Sequence, residues 1–210
     1  MSETLFKHAA STMAIMVAFT LIGTVFLAST YLATKVPIEV SEAAAKMKLF
    51  EQVLPISESD NDLLNDFVEV HAGGELNNRT VTKVYTARLA GVATAIILEA
   101  TARDGYSGDI KLLIAVRQDG SLGGVRVIAH KETPGLGDYI DIAKDHWIKA
   151  FDGLSLNSRP SEQWKVKKDG GQFDYMAGAT ITPRAVVKAT HQALAYVEAN
   201  KVLLFAAHKK

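Results

Sequence analysis

The residues best suited to chemistry in this sequence lie between Asp174 and Pro183, Asp-Tyr-Met-Ala-Gly-Ala-Thr-Ile-Thr-Pro, directly ahead of a long amphipathic pattern. Ala177, Gly178 and Ala179 are small enough to let a bulky group approach the backbone, and Gly178 accepts a positive φ that other residues resist. Thr180 follows with a hydroxyl. Thr182 and Pro183 are expected to start a helix, because Thr caps an unpaired N–H and Pro at the first helical position loses no bond. A phosphate esterified to Thr180 would then lie beside that helix N-terminus. Free N–H groups and the positive end of the helix dipole favour an anion there by about 0.3–1 kcal/mol when exposed. On residue chemistry alone, the stretch also reads as a tight, small-residue entry into a helix, and both readings stay open.

A second stretch, His130-Lys131-Glu132-Thr133-Pro134-Gly135-Leu136-Gly137-Asp138, pre-forms a turn at Thr133-Pro134-Gly135. The two glycines around Leu136 are expected to expose backbone N–H and C=O groups to anything docked against them, although a plain strand-to-helix connection would use the same residues. Gly135-Leu136-Gly137 lacks the third glycine of a dinucleotide fingerprint. The six histidines, at 8, 71, 130, 146, 191 and 208, show no ligand spacing, so no metal site is expected. No Gly-x-Ser-x-Gly elbow and no P-loop occur. Cysteine is absent, which excludes disulfides, thiolate zinc, cysteine-ligated iron–sulfur clusters and c-type haem attachment on this chain. Lys+Arg and Asp+Glu balance at 23 each, so there is no basic field to attract nucleic acid.

Asp174-x-x-Ala177-Gly178-Ala179-Thr180 resembles the flavinylation motif Asp-x-x-(Ser/Thr)-Gly-Ala-Thr of FMN-binding domains. These domains occur in the G subunit of Rnf electron-transport complexes and the C subunit of sodium-translocating NADH:quinone reductases. The 130–138 block is similar to the corresponding block of Rnf G subunits, and an apolar N-terminal run and a Gly-Tyr-Ser-Gly turn at 105–108 complete the likeness in order. The resemblance implies FMN held by a phosphoester to Thr180, installed by a flavin transferase. Asp174, Tyr175, Met176, Gly178, Ala179 and Thr182 would surround the attachment point. Thr133, Gly135, Leu136 and Gly137 would contact the cofactor, and Lys131 would offset negative charge on the reduced ring. Tyr175 and Met176 suit a flat π surface, and equally suit a core. Ala177 departs from the pattern, which has Ser or Thr there.

Implied, too, is an electron-relay subunit with no small-molecule substrate of its own. It would work among membrane, iron–sulfur and flavin subunits that couple ferredoxin/NAD oxidoreduction to translocation of sodium ions or protons. The alternative is a membrane-anchored scaffold of the same fold without flavin. The implied location is the bacterial inner membrane, with the N-terminus cytoplasmic and the flavin domain periplasmic.

Several elements must position these residues. After a short tail, 1–12, the uncharged run Met13–Ala33 is long enough to span a membrane, since about 20 helical residues cross a hydrocarbon core of about 30 Å. Thr20, Thr24 and Thr30 are expected to return their hydroxyls to the helix backbone. A helical linker region, 34–79, follows, with a helix capped by Ser41 and carrying an apolar stripe of Ala45, Leu49, Phe50 and Val53, then an acidic stretch at 58–66 that suits a solvated loop or a short helix. An α+β, FMN-binding domain is expected over 80–204, and a basic tail over 205–210. Alternation predicts antiparallel strands at 80–88, 92–100, 110–117 and 122–129, the long apolar runs of the middle pair suiting strands covered on both faces or, on periodicity alone, a buried helix. Flanking them are a predicted helix at 141–151 burying Ile142, His146, Trp147 and Ala150, a hairpin at 164–173, and a final helix from Pro183 to about Asn200.

Overall fold

The computed structural model describes residues 2–71 and 74–206, with side chains described from Phe6 onward. The basic end of the tail, with His208, Lys209 and Lys210, lies outside the described residues. The chain divides between Lys46 and Met47 into two compact units. The first is the greater part of one helix, α1 (Ser2–Val53), whose residues from Phe6 to Ala45 are all exposed, among them Phe19, Ile22, Phe26 and Leu27. A helix satisfies its own backbone, and this one is long and apolar enough to cross a membrane. As expected, Thr20, Thr24 and Thr30 donate to the carbonyls of Met16, Thr20 and Phe26, at 2.8, 2.8 and 2.9 Å.

One expectation fails here: α1 runs through Pro37 without a break, so no second helix starts at a Ser41 cap. A proline inside a helix costs about 3 kcal/mol or more through one lost N–H and a steric clash. The remaining turns of a 52-residue helix outweigh that local loss.

The second unit is built on a five-stranded antiparallel meander in the order β1 (Phe67–Val70), β2 (Thr82–Leu89), β3 (Val92–Ala102), β4 (Ile110–Arg117) and β5 (Leu122–Ala129). With helices packed against it, the unit is α+β, as predicted. Alternation sorts the side chains between two faces. Ile96, Leu98, Ala100, Leu112, Ile114 and Val116 point toward the larger core, shared with α2 (Ile181–Ala199). Ala95, Ile97, Leu113 and Ala115 point the other way, onto Phe50, Val53, Leu54 and Leu63. The middle strands are therefore covered on both faces. Phe50 and Val53 of the predicted stripe are core residues, whereas Ala45 is exposed. Each fully buried Ile or Leu contributes about 1.5–3 kcal/mol.

β1 lies in the region expected to be a helical linker, and it extends the sheet by pairing Phe67 with Tyr85 and Val70 with Thr82. The acidic stretch before it is more than a solvated loop. Glu58 holds Arg117 through two bonds of 2.8 and 2.9 Å, and Asp66 holds Arg88 at 2.8 Å, both from half-buried positions.

Residues 141–151 do not form an α-helix. Two short 3-10 segments, Asp138–Ile140 and Trp147–Phe151, bracket a turn in which Asp141 and Asp145 accept from the N–H groups of Ala143 and Trp147, at 2.9 and 2.7 Å. Those side-chain bonds compete with helix hydrogen bonding. Ile148 and Phe151 consequently face the core, while His146 and Ala150 are exposed. Residues 164–173 reverse tightly without forming a ladder: a 3-10 turn, Lys167–Asp169, ends at left-handed Gly170, and a lone bridge joins Val166 to Phe173. After α2, a short helix, α3 (Lys201–Leu204), buries Leu204.

Candidate functional site

Helix α2 starts at Ile181, two residues before the predicted start, and Thr180 is its N-cap residue. Thr182 does not cap. It is buried and donates its hydroxyl to Glu132 Oε2. Thr180 is half-buried and makes no side-chain capping bond, and the first turn of α2 carries no acidic residue. Its hydroxyl therefore stands beside a helix N-terminus with no carboxylate in that turn to compete for the free N–H groups.

The approach to Thr180 is shaped by a tight turn, in which the Ala179 N–H donates to the Met176 carbonyl at 3.0 Å. Gly178 adopts φ +87° with open space where a Cβ would stand, so the demand for glycine there is conformational. Asp174 is tied on both sides. Its carboxylate accepts from Lys167 Nζ at 2.5 Å, and its carbonyl accepts from Trp147 Nε1 at 2.8 Å. Beneath the segment lies an aromatic cluster of Tyr139, Trp147, Phe151, Trp164 and Phe173. Phe151 and Phe173 stack at 4.6 Å, and Tyr139 and Trp147 meet edge-on at 5.6 Å. Burial pushes the Tyr139 hydroxyl up to about 12, so it stays protonated at neutral pH while its oxygen accepts from the Met176 N–H at 3.4 Å.

A cleft of about 290 Å³ opens beside Thr180, lined by Tyr106, Glu132, Thr133, Leu136, Gly137, Gly178, Ala179, Thr180, Ile181 and Thr182. Of the residues singled out in the sequence, Thr133, Leu136, Gly137, Gly178, Ala179, Thr180 and Thr182 converge on it. Lys131, Gly135, Asp174, Tyr175 and Met176 do not line it. Tyr175 and Met176 are about 40% exposed, which removes the reading of them as core residues and leaves their side chains available at the rim of the motif.

The 133–138 turn differs from expectation in one respect. The Gly135 N–H donates to Asp138 Oδ1 at 2.7 Å and the Gly137 N–H to the Thr133 carbonyl at 3.0 Å, so neither offers a free donor. Gly137 instead marks a close approach. A Cβ there would stand 2.9 Å from both Glu132 Oε2 and Thr182 Oγ1.

Three residues of the cleft escaped sequence reasoning: Tyr106, Ile181 and Glu132. Glu132 is buried, at 4% exposed, and its Oε1 accepts from the Ser107 N–H at 3.0 Å. It stands inside the singled-out block, but flanked by His130, Lys131 and Thr133 it reads there as one more exposed polar residue, and its burial comes from contacts with Ser107 and Thr182 far along the chain. No grouping of three or more metal-ligating side chains occurs among the described residues.

A family model for the FMN-binding domain matches residues 105–195, a span containing every residue of the cleft. The chain is 47% identical over 188 residues to the G subunit of the ion-translocating oxidoreductase complex of Pseudomonas aeruginosa, covering 90% of this chain and 88% of that one. It is also 41% identical over 192 residues to the protein of that name from Vibrio atlanticus, covering 91% of each. The Vibrio cholerae protein of the same name is 40% identical over 187 residues, 89% of each chain.

Proposed function

Since the chain belongs to the family of G subunits of ion-translocating oxidoreductase complexes, we propose that it carries FMN on Thr180 and relays electrons between other redox centres of such a complex. It is an oxidoreductase subunit with an FMN-binding domain and an N-terminal apolar helix that serves as membrane anchor.

The observation that carries the attachment reading is the placement of Thr180. Its hydroxyl is uncommitted to capping, it sits at the N-terminus of a 19-residue helix, and it borders a cleft walled by Leu136, Ile181 and Tyr106 on the apolar side. A phosphate there would meet the N–H groups of the first helical turn. Gly178 supplies the backbone reversal that leaves Thr180 at the cleft edge, and Leu136, nearly half exposed, offers an apolar surface to a flat ring. The FMN, when bound, supplies one- and two-electron chemistry, while the protein's part is to hold the ring and exclude side reactions. Thr133 and Thr182 add polar groups to the wall. Lys167, paired with Asp174, keeps that carboxylate from repelling a nearby phosphate.

The finer reading extends to partners and place. A flavin transferase would load Thr180, iron–sulfur and flavin subunits would exchange electrons with it, and ferredoxin/NAD oxidoreduction would drive sodium ions or protons across the membrane. The anchor would hold the chain in the bacterial inner membrane with its N-terminus cytoplasmic and the flavin domain, taken as 80–204, periplasmic.

Flavin fluorescence of the denatured chain on a gel, after co-expression with a flavin transferase, tests this. Fluorescence is expected in wild type and Thr182→Ala and lost in Thr180→Ala. Loss only in Thr182→Ala would move the site. A dark wild type would favour a flavin-free scaffold, with Ala177 as the disabling departure.

A further inference from the structure

We propose that Glu132 is a positioning residue whose fixed negative charge holds the reduction potential of the bound flavin low, an inference that rests on the cleft being the flavin site. Glu132 lines the cleft, is 4% exposed, and is bonded through both oxygens, to the Ser107 N–H at 3.0 Å and to the Thr182 hydroxyl. It thereby joins three segments: the 105–108 turn, the 130–138 loop and the first turn of α2. The fit is tight, since a Cβ added at Gly105 or Gly137 would stand 3.0 Å from Oε1 or 2.9 Å from Oε2.

Among the described residues no Lys, Arg or His forms an ion pair with Glu132, and Lys131, its neighbour in sequence, is exposed. Both donors it holds are neutral. A neutral acceptor could join the same three segments without the cost of desolvating a lone carboxylate. The charge therefore calls for a use beyond structure, and the cleft it faces is where a charge would act. With FMN bound, an electron from a reduced donor arriving without a proton would add one negative charge to the ring. A carboxylate in the cleft wall that is itself only 4% exposed opposes that charge with less screening than a surface carboxylate would. It makes the ring harder to reduce.

The test uses the full chain in detergent, loaded by a flavin transferase, with fluorescence after denaturation as a first check on loading. Midpoint potentials are then measured by dithionite titration for wild type, Glu132→Gln, Thr182→Val and Asp109→Asn, the last a control that removes a half-buried carboxylate paired with Arg79 and outside the cleft lining. Gln keeps the acceptor for Ser107 and can donate to the Thr182 oxygen, so the bridge survives while the charge is lost. Val strips a donor from the carboxylate and leaves its charge less compensated. Glu132→Gln is expected to shift the potential positive, Thr182→Val to shift it negative, and Asp109→Asn to leave it as in wild type. A loaded Glu132→Gln at or below the wild-type potential overturns the proposal. So does a positive shift in Thr182→Val, which would assign the effect to loop geometry. If Glu132→Gln does not fold, Thr182→Val decides alone: a negative shift supports the proposal, and an unchanged or positive one overturns it. An unloaded wild type would instead sink the reading of the cleft itself, and this proposal with it.

Discussion

Gly137→Ala probes the wall of the cleft with a single methyl group. The added Cβ would stand 2.9 Å from Glu132 Oε2, 2.9 Å from Thr182 Oγ1 and 3.0 Å from Glu132 Cβ, closer than carbon normally approaches any of them. Neither partner can retreat, because Glu132 and Thr182 are only 4% and 1% exposed and bonded to each other. Overpacking of this kind costs about 1–3 kcal/mol. In a unit of this size each kcal/mol lowers the melting temperature by about 2–4 °C. Gly135→Ala is the control. Nothing lies within 4 Å of its Cβ position, so its cost is backbone strain at φ +75°, about 1–2 kcal/mol. Near-UV circular dichroism reports both melts through Trp147 and Trp164, which sit in the aromatic cluster. Both variants should melt several degrees lower, but only Gly137→Ala should also lose flavin loading, since it alone displaces cleft-lining atoms. Unchanged melting and loading in Gly137→Ala would refute the close packing of Gly137, Glu132 and Thr182.

Phe173→Ala removes a ring that is 1% exposed and stacked on Phe151, at a cost of about 3–5 kcal/mol, and urea denaturation should show a matching fall in stability. Its flavin loading should drop as well, because Asp174 and the rest of the motif follow directly. Tyr139 predicts an alkaline limit. Its hydroxyl titrates near 10 when unfolded and is pushed to about 12 by burial, so the contribution of its protonated form is intact below pH 10 and lost as pH rises to about 12. Stability measured against pH should fall in that window for wild type, and less so in Tyr139→Phe. A fragment beginning at Met47 should remain in the supernatant on ultracentrifugation while the full chain sediments with membranes, because the exposed apolar surface of α1 precedes that residue.

The sheet was largely legible. Strands β2 to β5 announce themselves by alternation and long apolar runs, and the buried face of α2, through Val186, Val187, Thr190, Ala193, Leu194 and Val197, follows a helical period. What escaped has identifiable physical causes. β1 has only four residues, too few for a period to register, and its place is set by pairing with β2. Residues 141–151 carry a helix-like apolar spacing, but Asp141 and Asp145 supply local acceptors that bend the chain into turns. Helix α2 starts earlier than the good local cap Thr182-Pro183 suggests, because the Thr182 hydroxyl is claimed by Glu132, 50 residues earlier in the chain. Long-range partners of this sort leave no mark on local spacing. Likewise the aromatic cluster under Asp174 gathers residues from 139 to 173 that no short window connects.

The most direct test of the central claim is tandem mass spectrometry of the tryptic peptide Asp169–Arg184, released from the full chain after co-expression with a flavin transferase. This peptide contains both Thr180 and Thr182. The account predicts a mass increased by one FMN less one water, with fragment ions assigning the addition to Thr180. An unmodified peptide, or an addition carried by Thr182, would contradict it.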